Sequence, residues 1–136
     1  MKKALDPEVA LFFEAASQRK VEDLMALDLR GVSSIADFFI IGSGKSTRQV
    51  IAIAEDMQRY LKEHGRKALS VEGTTEGTWV VIDYGNIIVH LFYGEIRSFY
   101  DLEGLWSDAP ILRPPKKRKP RAASKTPATE ETPPEP

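Results

Sequence analysis

Residues 79–93 read Trp-Val-Val-Ile-Asp-Tyr-Gly-Asn-Ile-Ile-Val-His-Leu-Phe-Tyr, two apolar runs joined by Gly85-Asn86. β-Branched and aromatic residues dominate both runs, and a two-residue connection with Gly first fits a type II′ turn, so the stretch predicts a β-hairpin. The short loop also sets the register. Tyr84, Ile82 and Val80 then oppose Ile87, Val89 and Leu91 on one face, while Asp83, Val81 and Trp79 oppose Ile88, His90 and Phe92 on the other. The first face suits a core. The second mixes a carboxylate and a histidine with large apolar groups, the composition of an interface or a partly wet edge.

Working outward, Asp6 caps and Pro7 opens a helix whose apolar stripe is Val9, Phe12, Phe13 and Ala16, expected to end near Lys20. Leu24 to Leu29 and Phe38 to Ile41 read as strands, with Arg30-Gly-Val-Ser-Ser34 as the turn between them. Ser46 opens a second helix: Gln49 completes a Ser-x-x-Gln capping box, Val50, Ile53, Ala54, Met57 and Leu61 form one stripe, and Gly65 ends it. Ala68 to Glu72 reads as a further strand, followed by the loop Gly73-Thr-Thr-Glu-Gly77. After Gly94, Ile96 to Trp106 predicts a short helix and turn, and Pro110 closes the domain. Strands that follow one another without a helix between them call for a mixed sheet. The expectation is an α/β protein: a single domain over residues 1–112, its mixed β-sheet flanked by helices.

Composition sets the last segment apart. Residues 1–112 hold 12 Lys and Arg against 17 Asp and Glu, a net −5, whereas residues 113–136 hold 7 against 3, a net +4. Seven of the nine prolines fall in that second stretch, which has no Leu, Ile, Val or aromatic residue. It has too little apolar surface to offset its ordering entropy, and a disordered Pro-rich tail, basic then acidic, is expected. Its run Pro114-Pro-Lys-Lys-Arg-Lys-Pro-Arg121 resembles a nuclear import signal or an RNA-contacting arm, the latter with ribosomal RNA as the expected contact. The acidic body speaks against a protein that grips nucleic acid mainly through phosphates. The chain has no Cys, which removes disulfides, thiolate nucleophiles and thiolate metal sites. No apolar run approaches the about 20 residues that span a bilayer, and Met1-Lys2-Lys3 leads into Asp6 and Glu8 rather than an apolar stretch, so a soluble, cytoplasmic protein is expected.

Two constellations invite a catalytic reading. Gly42-Ser-Gly-Lys-Ser46 lies before a helix, where backbone N–H groups bind phosphate, yet the Walker pattern needs a Gly at the position of Phe39. A Gly-Ser turn between strand and helix also occurs in nucleotidyltransferase folds, whose magnesium ions need clustered carboxylates. Asp83 stands alone on its strand face, and no Asp-x-Asp follows the turn. His90 lies diagonal to Asp83, and a histidine bonded to a carboxylate within a sheet is the plainer expectation than an acid–base device, since no nucleophile adjoins the pair.

Taken together, Leu27-Asp28, Gly31 and Ser33, Ala36-Asp-Phe-Phe-Ile40, Gly42 to Ser46, Arg48-Gln-Val50, Glu72-Gly73, Trp79, Asp83-Tyr-Gly85, Val89-His90 and Arg97-Ser-Phe-Tyr-Asp-Leu-Glu-Gly-Leu-Trp106 resemble the ribosomal silencing factor, or Iojap-like, family over about residues 8–110. The sequence departs from the family's usual pattern at Asn86, where an acidic residue is common, and at Phe99, where Tyr is. The resemblance implies a domain like a nucleotidyltransferase without its metal carboxylates, and a function without catalysis, cofactor or metal. It implies a translational repressor that binds the large ribosomal subunit through ribosomal protein fourteen and blocks joining of the small subunit when nutrients are short. The implied docking residues are Trp79, Asp83, Tyr84, His90, Tyr100, Leu102, Glu103 and Trp106, aromatics as anchors and carboxylates as charge partners. Homodimers off the ribosome are also implied. Two other readings stand beside this one: a residual nucleotidyltransferase using Gly42-Ser43 with Asp37 and Asp83, and a homodimeric scaffold for another client.

Overall fold

The computed structural model describes residues 5–115, so the expected disorder of the tail concerns residues that lie, from 116 on, outside the described range. In chain order the elements are α1 (Pro7–Ala16), β1 (Glu22–Asp28), β2 (Phe38–Gly44), α2 (Thr47–Glu63), β3 (Ser70–Glu72), β4 (Trp79–Asp83), β5 (Ile87–Tyr93), α3 (Gly94–Tyr100), α4 (Leu102–Leu105) and β6 (Ile111–Leu112). The six strands form one mixed sheet in the order β3-β4-β5-β2-β1-β6, with β5 and β2 parallel and the other neighbours antiparallel.

The β4–β5 hairpin pairs in the register its loop dictates, Trp79 with Phe92, Val81 with His90 and Asp83 with Ile88. The Tyr84 N–H donates to the Ile87 carbonyl at 2.9 Å, closing the turn. Gly85 has φ +92°, and Asn86 is not among the positive-φ residues, the sign pattern of the type II′ turn. The pleat then sorts the side chains. Val80, Ile82, Ile87, Val89 and Leu91 point to the face covered by α1 and α2, where with Phe12, Ile53, Met57 and Leu61 they are fully or almost fully excluded from water. Each such side chain stabilises the fold by about 1.5–3 kcal/mol. The opposite face carries a second, smaller cluster, Met25, Leu27, Leu29, Phe39, Ile41 and Phe92, closed by Leu102 and Ala109 from the C-terminal segment.

Four local expectations are corrected. Helix α1 stops at Ala16 rather than near Lys20: the Ser17 N–H and hydroxyl both donate to the Phe13 carbonyl, at 3.0 and 2.8 Å, and beyond them the ladder tightens to an i→i−3 bond from the Gln18 N–H to the Ala15 carbonyl at 3.4 Å. Gly42-Ser43-Gly44 is strand, not turn: all three pair with Leu91, Phe92 and Tyr93 of β5, and the parallel ladder overrides their turn propensity. The capping box closes on one side only. Ser46 Oγ accepts from the Gln49 N–H at 3.1 Å, but Gln49 Oε1 accepts from Lys45 N–H and its Nε2 donates to the Lys20 carbonyl at 2.8 Å, tying helix α2 to the loop before β1. Finally, Pro110 does not end the ordered chain. Its carbonyl accepts from Asp28 N–H, and β6 follows on the outer edge of β1.

Candidate functional site

The C-terminal segment is pinned across the second sheet face by a buried cation. Arg97 of α3, 8% exposed, donates from Nε to Glu103 Oε2 of α4 at 2.9 Å and from Nη1 to Ser43 Oγ of β2 at 2.8 Å. A guanidinium enters such a place only when its donors are matched, and here they join sheet, α3 and α4. Between the two short helices Asp101 takes φ +48°, and its carboxylate accepts from Gly104 N–H at 3.2 Å, so one residue both ends α3 and caps α4.

The arrangement leaves the face incompletely covered and aromatic. Trp79 stacks on Phe92 with ring centres 5.1 Å apart and leans on Tyr100 at 4.6 Å; Tyr100 meets Phe99 edge-on at 5.1 Å. On the other side Phe39 holds Trp106 edge-on at 6.0 Å. Phe99, Leu105 and Tyr100 are 77%, 72% and 45% exposed, apolar surface that folding leaves in water beside half-buried Trp79, Ile88 and Trp106. Contiguous apolar surface of this kind marks interaction sites.

His90 sits beneath this surface. Its Nδ1 accepts from Trp79 Nε1–H at 3.1 Å, and burial pushes its pKa down to about 4, so the ring is neutral. The expected His–carboxylate bond is corrected: Asp83 Oδ1 accepts instead from Gly85 N–H at 2.7 Å, inside the hairpin turn. A carboxylate there would have had to leave an exposed turn for a shell of aromatic rings.

Of the eight residues the sequence singles out, Trp79, His90, Tyr100, Leu102, Glu103 and Trp106 come together on this side of the sheet. Leu102 is buried and supports the face from below, and Glu103 is joined to Arg97. Asp83 shares the face at the far end of β4 from Trp79, about 13 Å along the strand. Tyr84 does not belong. It packs edge-on against Phe12 beneath the helices, and burial raises its pKa to about 12. Sequence reasoning missed the exposed pair Phe99 and Leu105 as surface anchors, and the Arg97 strut. A cation inside the apolar stretch 96–106 was the one available signal.

Ser43 is buried in β2 with its hydroxyl bonded to Arg97, and Gly42 is buried beside it, which leaves neither free to cradle a phosphate. Among the described residues no group of three or more His, Asp or Glu stands close enough to hold a metal ion, and no helix is long and apolar enough to cross a membrane.

Fold and site together define a one-domain α/β protein that presents an aromatic patch on the thinly covered face of a mixed sheet. A model of the family "Ribosomal silencing factor during starvation" matches residues 2–135, which takes in most of the basic, Pro-rich stretch as well. The ribosomal silencing factor of Bacillus subtilis is 42% identical over 97 residues, covering 71% of this chain and 82% of its own length. A mouse protein described as "Mitochondrial assembly of ribosomal large subunit protein 1" is 28% identical over 103 residues, 74% of this chain and 45% of that protein. Among solved structures, one from Chromobacterium violaceum superposes with a TM-score of 0.73 at 32% identity, covering 90% of this chain and 98% of the other. The chain belongs to the ribosomal silencing factor family.

Proposed function

We propose that this protein represses translation by docking its aromatic face on the large ribosomal subunit, against ribosomal protein fourteen, so that the small subunit cannot join. The carrying observation is the exposed apolar set Phe99, Tyr100 and Leu105 beside Trp79 and Trp106, on a segment that Arg97 ties to the sheet through Ser43; Leu69, Ile35 and Ile111 are exposed as well but lack this aromatic setting. Family membership supplies the ribosome; the surface supplies the means. Tyr and Trp anchors with a polar rim are the usual make-up of a binding hot spot. The net −5 of residues 1–112 complements a basic ribosomal protein and speeds encounter.

The mechanism is competition for space. A bound factor and an incoming subunit cannot occupy one volume, so the repressed fraction follows from affinity and free concentration alone. No reacting atom is needed. On this reading the protein works in the cytoplasm, its basic segment contacts ribosomal RNA, and the same aromatic face supports self-association off the ribosome.

The test is pelleting of the protein with isolated large subunits. Leu105→Asp and Tyr100→Ala alter exposed side chains and leave both core clusters intact, so the fold is kept. Both are expected to weaken co-sedimentation at least tenfold with an unchanged thermal midpoint. Wild-type affinity in both variants would remove the aromatic face from the account.

A further inference from the structure

We propose that the Nε2–H of His90 is a recognition donor, completed by a backbone carbonyl oxygen that the docking partner brings onto the aromatic face. This rests on the docking reading above and names a contact within it.

His90 is 7% exposed, and its Nδ1 is occupied as an acceptor by Trp79 Nε1–H. A neutral imidazole with an acceptor Nδ1 carries its proton on Nε2, the nitrogen further from the backbone, which projects away from the sheet. That Nε2 is buried and has no acceptor among the described residues. The large majority of buried side-chain polar atoms are paired, with protein or with ordered water, so a fixed donor with no acceptor among the described residues calls for a reason. Two other buried atoms share the condition, Tyr84 Oη and Glu103 Oε1. Tyr84 lies on the helix-covered face, and the carboxylate of Glu103 already holds Arg97 through its other oxygen. His90 alone joins an unmatched donor to the aromatic surface.

The surroundings select the acceptor. The rings of Phe39, Trp79 and Phe92 stand 4.5, 6.0 and 6.4 Å from the imidazole centre, and none offers an oxygen. A carboxylate entering that shell would lose its hydration without a cation to replace it. A carbonyl oxygen brings no net charge, matches a neutral donor and is present on any partner backbone. Trp79, which bonds the Nδ1 of His90, also packs on Tyr100, and Tyr100 is 45% exposed, so the imidazole lies one ring beneath the surface a partner would meet.

The experiment compares His90→Asn and His90→Gln in the full chain for binding to isolated large subunits, with thermal midpoints measured alongside. Asn reaches only the inner nitrogen's position and keeps an acceptor for Trp79, whereas Gln places an amide donor near the outer one. His90→Asn is expected to bind about tenfold more weakly, about 1.4 kcal/mol, and His90→Gln within about threefold of wild type. In parallel, 15N-labelled wild-type chain is titrated with purified ribosomal protein fourteen, and the Nε2–H resonance is expected to move downfield. The proposal is overturned if His90→Asn binds as wild type, if Gln rescues nothing, or if the resonance stays unmoved at saturation. The spectrum uses the wild-type chain and decides the matter even if a variant does not fold. Loss of binding in Leu105→Asp with an unmoved resonance keeps the docking face and removes only this contact; absence of binding by the wild-type chain removes both.

Discussion

Lowering the pH from 7 to 4.5 should destabilise this fold through one buried side chain, and the size of the effect follows from its surroundings. Burial pushes His90 down to about 4, from an ordinary value of 6.5 that it regains on unfolding. Between those two values the unfolded chain binds a proton at this site that the folded chain does not, so stability rises with pH there, by about 1.4 kcal/mol per pH unit. The contribution is complete above pH 6.5, amounts to about 3 kcal/mol in all, and is lost as pH falls toward 4. At pH 4.5 about 2.4 kcal/mol should be gone. The assay is urea unfolding of the wild type and His90→Asn at a series of pH values. Both chains keep His64 and every carboxylate, so those titrations cancel in the difference. With a urea slope of about 1–3 kcal/mol per molar, the wild-type midpoint should fall by about 1–2 M more than the variant's. Curves that run parallel from pH 7 to 4.5 would refute the reasoning, because they would mean that His90 titrates alike in folded and unfolded chains.

Other perturbations separate the parts of the molecule. Arg97→Met removes the guanidinium that joins Ser43 and Glu103 and strands the Glu103 carboxylate, which should cost about 2–4 kcal/mol in urea unfolding and weaken large-subunit binding, since α3 and α4 lose their anchor. Phe12→Ala, at a position with no exposure, should cost about 3–5 kcal/mol by the same measurement yet leave affinity unchanged below the melting temperature. Gly73→Ala places a Cβ 2.0 Å from the Trp79 carbonyl oxygen at φ +90°; a loss of about 1–3 kcal/mol is expected, and Trp79 fluorescence should shift as the start of β4 moves. Truncation after residue 115 should keep the thermal transition and reduce only the salt-sensitive part of ribosome binding, read by pelleting at two ionic strengths.

What could be read in advance was what the chain encodes locally. The β4–β5 hairpin follows from period-two patterning and a two-residue loop, and helix α2 from a cap and a stripe, so both lie where the residues place them. Tyr84 is instructive: its pairing with Ile87 set it on the core face, while the family resemblance made it a docking residue, and the structure follows the pleat. Strand β6 was illegible because two residues after a proline become a strand only by meeting β1, a long-range event. The same holds for Arg97. Nothing near it in sequence shows that Ser43, on a strand 54 residues away, will take its Nη1. The split between α3 and α4 depends on Asp101 in the left-handed region, a conformation that only the packed segment around it enforces.

Occlusion is tested most directly by mixing separated small and large subunits with rising concentrations of the protein and following their joining by light scattering, with bound protein quantified in the same samples. The account predicts that the joined fraction falls in proportion to occupancy and approaches zero at saturation, and that Leu105→Asp shifts both curves together. Full joining on large subunits saturated with the wild-type protein would contradict it.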